Sequence, residues 1–198
     1  NIFILSDEIY EYINFTSIPH TSFAAIEGMY ERTITINGLS KAFAMTGWRI
    51  GYLAAPEWIA KACNKVQGQI TSGTNAIAQR AAIAALKAPK SKIQYMIDEF
   101  KKRRDLVLAL LSEVEGLKVN VPEGAFYVFP DVSSFFGKTL RGRTIRNASD
   151  FSLYLLEEAM VATVTGEAFG DANCIRISYA ASEKELREAI RRIKESLA

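Results

Sequence analysis

Histidine is nearly absent from this chain: its 198 residues hold one, His20. A zinc site or nucleophilic triad built on histidine therefore has one candidate and no spare. Cysteine is almost as scarce, and Cys63 and Cys174 are too widely spaced for paired metal ligands and too few for a disulfide framework. No metal site is expected, and the usage fits a reduced, cytoplasmic setting. Neither sign of charge dominates, since 24 Lys and Arg against 22 Asp and Glu leave a formal +2. That balance argues against nucleic acid or an anionic membrane as partner. No apolar run approaches the roughly 20 residues of a membrane span, and no charged leader with a small-residue cleavage site marks a signal peptide. Methionine is missing from the first position, where Asn1 is followed directly by Ile2-Phe3-Ile4-Leu5. Such a run reads as a buried strand with no lead-in, so the start is expected to be that of a fragment.

What is present is enough for a core. Hydrophobic residues make up 49% and aromatics 11%, and a chain of this size buries about 70% of the surface it exposes unfolded. Ile2 to Leu5, Arg32 to Ile36 and Arg49 to Ala54 read as strands of one buried sheet. Pro56 opens a helix to about Gln69, and Asn75 caps an alanine-rich one to about Lys87. From Ser91 to about Glu115 a helical period runs unusually long, as in a helix linking two domains. Leu117 to Val121 and Ala125 to Phe129 read as strands, followed by a polar loop from Ser133 to Asn147. Ser149-Asp150 caps a helix to about Met160, Val161 to Val164 is extended, Cys174 to Tyr179 is a strand, and Ser182 caps a last helix to Leu197. The second half is a smaller α+β domain.

The informative stretch is Gly38-Leu39-Ser40-Lys41-Ala42-Phe43-Ala44-Met45-Thr46-Gly47-Trp48-Arg49-Ile50-Gly51-Tyr52. Lys41 lies among small and apolar neighbours that favour the neutral amine needed for a Schiff base. Arg49 offers a planar fork suited to phosphate. Taken singly, Lys41 reads as a solvated loop lysine; the whole pattern sets it apart. A second element, Ser6-Asp7-Glu8-Ile9-Tyr10, falls at the carboxyl end of the first strand, where open α/β sheets bind ligands. A third, Asn173-Cys174-Ile175-Arg176-Ile177-Ser178-Tyr179, sets one arginine in an apolar strand, where a guanidinium needs an anionic partner.

These elements resemble the class I and II pyridoxal-phosphate aminotransferases, of fold type I, and the style of Asn37 to Lys41 and Thr71 to Asn75 is most similar to the prokaryotic aspartate-specific members. The resemblance covers essentially the whole chain but only the second half of a family member. It implies an α/β fold: residues 1–102 as the C-terminal part of the large cofactor domain, a mostly parallel sheet with flanking helices, and residues 103–198 as the small α+β domain, joined by the helix at about 91–115. It implies pyridoxal 5′-phosphate as cofactor, held by Lys41, which also shuttles the proton. Asp7 is expected against the pyridine nitrogen, Tyr10 against the ring oxygen and Arg49 on the phosphate, with Arg176 binding the substrate α-carboxylate. Substrates would be an amino acid, aspartate foremost, and a 2-oxo acid such as 2-oxoglutarate, and the intact parent would be a homodimer.

Gly38 stands where many relatives carry a hydroxyl, Thr165 replaces a usual proline, and no arginine stands near Gln69 and Ile70, where some relatives bind the side-chain carboxylate. Glu123 to Tyr127 resembles a strand lining the substrate side, and Gly166 to Gly170 a loop closing over it. A lyase or synthase on the same fold and an inactive fragment are the alternative readings. Glu8 reads as structural, His20 as exposed, Trp48 and Trp58 as packing residues, and Lys101 to Arg104 as a solvated helix face.

Overall fold

Backbone pairing starts within the apolar run at the head of the chain. The computed structural model describes residues 2–198. It forms β1 over Ile4–Asp7, β2 over Thr33–Gly38 and β3 over Gly51–Ala54, in the order β1-β2-β3. β1 and β2 run parallel with Asp7 opposite Ile36, while β2 and β3 run antiparallel with Gly38 opposite Gly51. The ends of β1 and β2 and the start of β3 therefore share one sheet edge. The strands lie where their β-branched and aromatic content puts them. Their expected burial is corrected: β1 alternates half-buried and exposed, and β3 is exposed throughout. Propensity makes a strand whether or not anything covers it. The helices here bury few positions, Ile59 from one and Ala78 and Ala82 from the next.

Helix α1 covers Glu57–Ile70 with Pro56 as its N-cap. Helix α2 covers Ala76–Lys87, and the Asn75 side chain accepts from the Ala78 amide at 3.0 Å. Helix α3 covers Ser91–Leu111, ending four residues before the expected Glu115. The chain divides into two compact units, Asn1–Ile97 and Asp98–Ala198, and the division falls inside α3.

In the second unit β4 (Tyr127–Val128), β8 (Ile175–Ser178) and β7 (Val164–Thr165) form an antiparallel sheet in the order β4-β8-β7. Helix α4 covers Ala148–Glu158 and α5 Glu183–Leu197. Their core joins Val132, Phe135, Ile145, Phe151, Tyr154 and Ile175, and Phe135 stacks on Phe151 at 4.9 Å. Four expectations change here. Leu117 to Val121 makes only an isolated bridge, Lys118 to Asp131. The loop from Ser133 to Asn147 contains a hairpin, β5 (Thr139–Leu140) with β6 (Arg143–Thr144), because Arg141 and Gly142 both take positive φ and close a tight turn. The cap of α4 is Asn147, which accepts from the Asp150 amide at 2.8 Å. Lys101 to Arg104 is not uniformly solvated, since Arg104 tucks in to donate to the Pro122 carbonyl at 3.0 Å and to Asp105 at 2.7 Å. The tryptophans also depart from expectation: Trp48 and Trp58 are both exposed, with Phe3 meeting Trp58 edge-on at 5.8 Å. Among the described residues no helix is long and apolar enough to cross a membrane.

Glu8 is the buried acid of the first unit. Its Oε1 accepts from the Ser6 hydroxyl at 3.0 Å, the Ser22 hydroxyl at 2.8 Å and the Phe23 amide at 3.1 Å. Its Oε2 lies 3.1 Å from His20 Nε2. Burial alone raises a carboxyl's pKa, but these bonds outweigh it and hold Glu8 below its ordinary 4.5. His20 is exposed as expected, and its ring is tethered here. Because the folded pKa is depressed, the carboxylate stabilises the fold fully above pH 4.5 and the contribution is lost as pH falls through the folded value. Glu8→Gln is expected to cost about 1–3 kcal/mol at neutral pH, since an amide leaves donors unsatisfied. Thermal unfolding followed from pH 7 to pH 3 checks both points, because the gap between variant and parent must narrow in acid.

Candidate active site

The motif around Lys41 sits on a small apolar floor. Leu39 and Met45 are buried against Ala82 of α2, with Phe43, Ile50, Ala81 and Ala85 beside them. Alanines at that contact let the helix come close to the loop, and they leave the intervening Lys41 only half-buried. The loop then turns tightly: Phe43 and Met45 amides both donate to the Leu39 carbonyl at 3.3 Å, and the Ala44 amide donates to the Lys41 carbonyl at 3.3 Å. Ala44 and Arg49 both take the left-handed conformation, each at φ 53°. For residues with a Cβ this costs of order 1–3 kcal/mol and persists where surroundings impose it, a common feature of functional loops.

Arg49 precedes β3 by two residues and is exposed. Its Nη1 donates to the Thr46 carbonyl at 2.8 Å. It lines a cleft of about 780 Å3 with Ala44, Gly47, Trp48, Thr74 and Asn75. Asp7 closes β1, and its Oδ1 accepts from the Ile9 amide at 3.1 Å, an Asx turn that aims the chain into the Glu8 hub. Tyr10 follows, half-buried in the same turn. Register thus brings Asp7, Tyr10, Lys41 and Arg49 to one edge of the sheet, because Asp7 ends a strand there and the others lie within three residues of a strand end. Gly38 has a steric reason to lack a side chain: a Cβ would come within 3.2 Å of Gly51 Cα, the Ile50 carbonyl and the Ile9 side chain. A hydroxyl there would have to push apart the strands that hold this edge.

Arg176 belongs to the second unit, on β8 opposite Val164. Its guanidinium carbon lies 4.4 Å from the Tyr127 ring centre and 4.0 Å from that of Phe169. No carboxylate among the described residues pairs with it. These ring contacts were not legible in the sequence, because Tyr127 and Phe169 belong to separate, distant segments. The loop after β7 is rigidly shaped. Gly166 cannot carry a methyl without striking the Asp171 and Cys174 carbonyls, and Gly170 has φ 90°. Thr165, where a proline was expected from the resemblance, accepts from the Ser149 hydroxyl at 3.1 Å. Cys174 is buried, its thiol pushed up to about 11 mainly by burial, and both cysteines are unpaired.

The comparisons with known proteins identify the family. The family model for aminotransferase class I and II matches residues 1–193. The chain belongs to that family, whose chemistry depends on pyridoxal 5′-phosphate. It is 50% identical over 200 residues to a bifunctional aspartate aminotransferase and glutamate/aspartate-prephenate aminotransferase of Petunia hybrida, covering 99% of this chain and 42% of that protein. It is 46% identical to an aspartate aminotransferase of Rhizobium meliloti, covering 98% of this chain and 48% of the relative. The crystal structure of the aspartate aminotransferase from Rhizobium meliloti superposes with a TM-score of 0.94 at 44% identity, over 98% of this chain and 49% of that one. The chain thus spans about half the length of the curated relatives it matches.

Gly166→Ala is expected to lower stability by about 1–3 kcal/mol, because the methyl meets backbone that cannot rotate away. Gly170→Ala has room and pays only for its φ, so about 1 kcal/mol is expected. Denaturant unfolding of the two variants checks the order; equal losses would mean that the turn around Gly166 is looser than drawn.

Proposed function

We propose that the chain supplies the lysine-bearing half of an aminotransferase that moves an amino group between aspartate and a 2-oxo acid such as 2-oxoglutarate. The observation supporting this reading is the shared sheet edge, at which an amine, a carboxylate, a phenol and a guanidinium emerge from neighbouring strand ends. That donor set fits pyridoxal phosphate, which presents an aldehyde, a ring nitrogen, a ring oxygen and a phosphate. When bound, the cofactor draws electrons from the substrate α-carbon.

The protein's own groups divide the remaining work. Lys41 would hold the cofactor aldehyde through its amine, and as a free amine it would move the substrate α-proton as general base and acid. The Asp7 carboxylate keeps the ring nitrogen protonated by accepting its N–H. Tyr10 donates its phenol to the ring oxygen. Arg49, with one nitrogen committed to Thr46, would offer its remaining N–H groups to the phosphate. Arg176 takes the substrate α-carboxylate by two parallel hydrogen bonds. Residues 1–102 are read as part of the cofactor domain and 103–198 as the small domain. The parent is read as a cytoplasmic homodimer, for which the two unpaired cysteines fit the compartment.

Borohydride treatment of the cofactor-loaded enzyme should leave the reduced cofactor on the peptide containing Lys41. Full loading with label on a different lysine would overturn the assignment. Asp7→Asn should retain the cofactor but lose at least about 100-fold in turnover, since an amide cannot hold the ring nitrogen charged. Steady-state turnover beside an absorbance titration of the cofactor separates the two effects.

A further inference from the structure

A guanidinium that is to grip a carboxylate by two parallel bonds must be held in plane, and nothing ionic does this for Arg176. It has no carboxylate partner among the described residues. Its neighbours are rings. Phe169 lies nearer, at 4.0 Å, and Tyr127 at 4.4 Å. Each ring has its own support. Phe169 meets Phe129 edge-on, with centres 6.3 Å apart and planes at 87°. Tyr127 tilts against Phe126 at 4.8 Å, and Phe126 stacks on Phe100 at 5.2 Å. Phe169 also ends the 3-10 turn Gly166–Phe169, whose position is imposed by the crowding at Gly166. Yet Phe169 is 46% exposed, so its ring is not there to fill a core.

We propose that Phe169, backed by Phe129 and assisted by Tyr127, is a positioning residue that holds the Arg176 guanidinium in the plane needed for a substrate carboxylate. This rests on the reading of Arg176 as the carboxylate site. The physical case is one of available surfaces. Ring contacts use the faces of a guanidinium, whereas a carboxylate uses its N–H edges, so rings orient the group without competing for its donors. A carboxylate partner within the protein would orient it equally well but would have to be displaced by substrate. Aromatic contacts also favour guanidinium over the more strongly hydrated ammonium, which adds a second reason for arginine at this position.

The test compares Phe169→Leu, Phe169→Tyr and Arg176→Lys in the cofactor-loaded, full-length enzyme. The readouts are KM and kcat for aspartate and, independently of turnover, the calorimetric Kd for succinate, a dicarboxylate that cannot react. Phe169→Leu should raise KM and the succinate Kd together by about threefold to thirtyfold, the range spanned by cation–π contacts from exposed to desolvated. Its kcat should stay within about twofold, because the α-proton step does not involve this ring. Phe169→Tyr, which keeps an aromatic face, should restore both constants. A melting temperature near the parent's is expected of Phe169→Leu; if it misfolds, Phe169→Met, of similar volume and without a π face, carries the same expectation. If Arg176→Lys raises KM and Kd while the Phe169 variants leave them unchanged, the positioning role is wrong and the carboxylate site stands. If Arg176→Lys leaves both unchanged, the carboxylate reading itself fails.

Discussion

A carboxylate taken out of water must be repaid in hydrogen bonds, and at Glu8 four donors do so from two separate stretches of chain. Ser6 belongs to β1, His20 and Ser22 to the long excursion before β2, and Phe23 begins a 3-10 turn. Desolvation is the largest influence on this acid, yet its pKa still falls, so the bonds together exceed the cost of burial. The consequence reaches the sheet edge. The Glu8 amide donates to the Ile36 carbonyl at 2.8 Å, extending the β1–β2 ladder by one step, while the Glu8 carbonyl accepts from the Glu11 amide at 3.0 Å and starts the next turn. Asp7 before it and Tyr10 after it are thereby held on either side of a fixed residue. Glu8, Glu11 and His20 bring ligand atoms within 4.8 Å of one another, but both oxygens of Glu8 are already engaged by the fold.

The second unit solves the same problem, placing one side chain accurately, by other means. Its core is apolar and aromatic, and two buried phenols in it are paired: that of Tyr154 donates to the Ser196 carbonyl and that of Tyr179 to the Ala125 carbonyl at 3.2 Å. Burial pushes the Tyr179 phenol well above its usual range, which keeps it a neutral donor. That bond ties the end of β8 to the start of β4, the two strands that carry Arg176 and Tyr127. Ala125 sits at φ 59° to make the turn. Arg176 is therefore carried on a strand anchored at its far end by a buried phenol, and met by rings at its own.

Local signals were the legible part of this chain. Asn75 and Ser182 marked helix starts, and the structure gives Ser182 and Glu185 the reciprocal bonds of a capping box. Spacing within Gly38 to Tyr52 identified the family, because each residue in it answers a local demand: glycine for close strands, lysine over an apolar floor, arginine before a strand. What sequence could not give was any contact whose partners lie far apart. Glu8 looked structural, but nothing near it named His20. Trp48 and Trp58 looked like packing residues on composition, whereas their exposure depends on which faces are covered. The β5–β6 hairpin was hidden because Arg141 takes a positive φ that arginine seldom adopts.

Two arginines in this chain are placed by opposite strategies, and the difference fits the ligands proposed for them. Arg49 sits in a strained backbone conformation, tied through one nitrogen to a nearby carbonyl and otherwise open to a cleft. A phosphate is a large, multiply charged partner that can be approached from several directions, so fixing the backbone suffices and the side chain keeps its freedom. Arg176 lies on a regular strand with no strain, and its side chain is what is constrained, by two rings close to its guanidinium. An α-carboxylate is a planar, singly charged partner that exchanges at every turnover. Its recognition depends on the guanidinium plane being set before it arrives, and a pre-oriented fork loses less entropy for each bond it makes. Strain in the backbone and ring contacts on the side chain are thus two ways of preorganising the same residue type, and under the proposed roles one suits a cofactor that stays and the other a substrate that leaves.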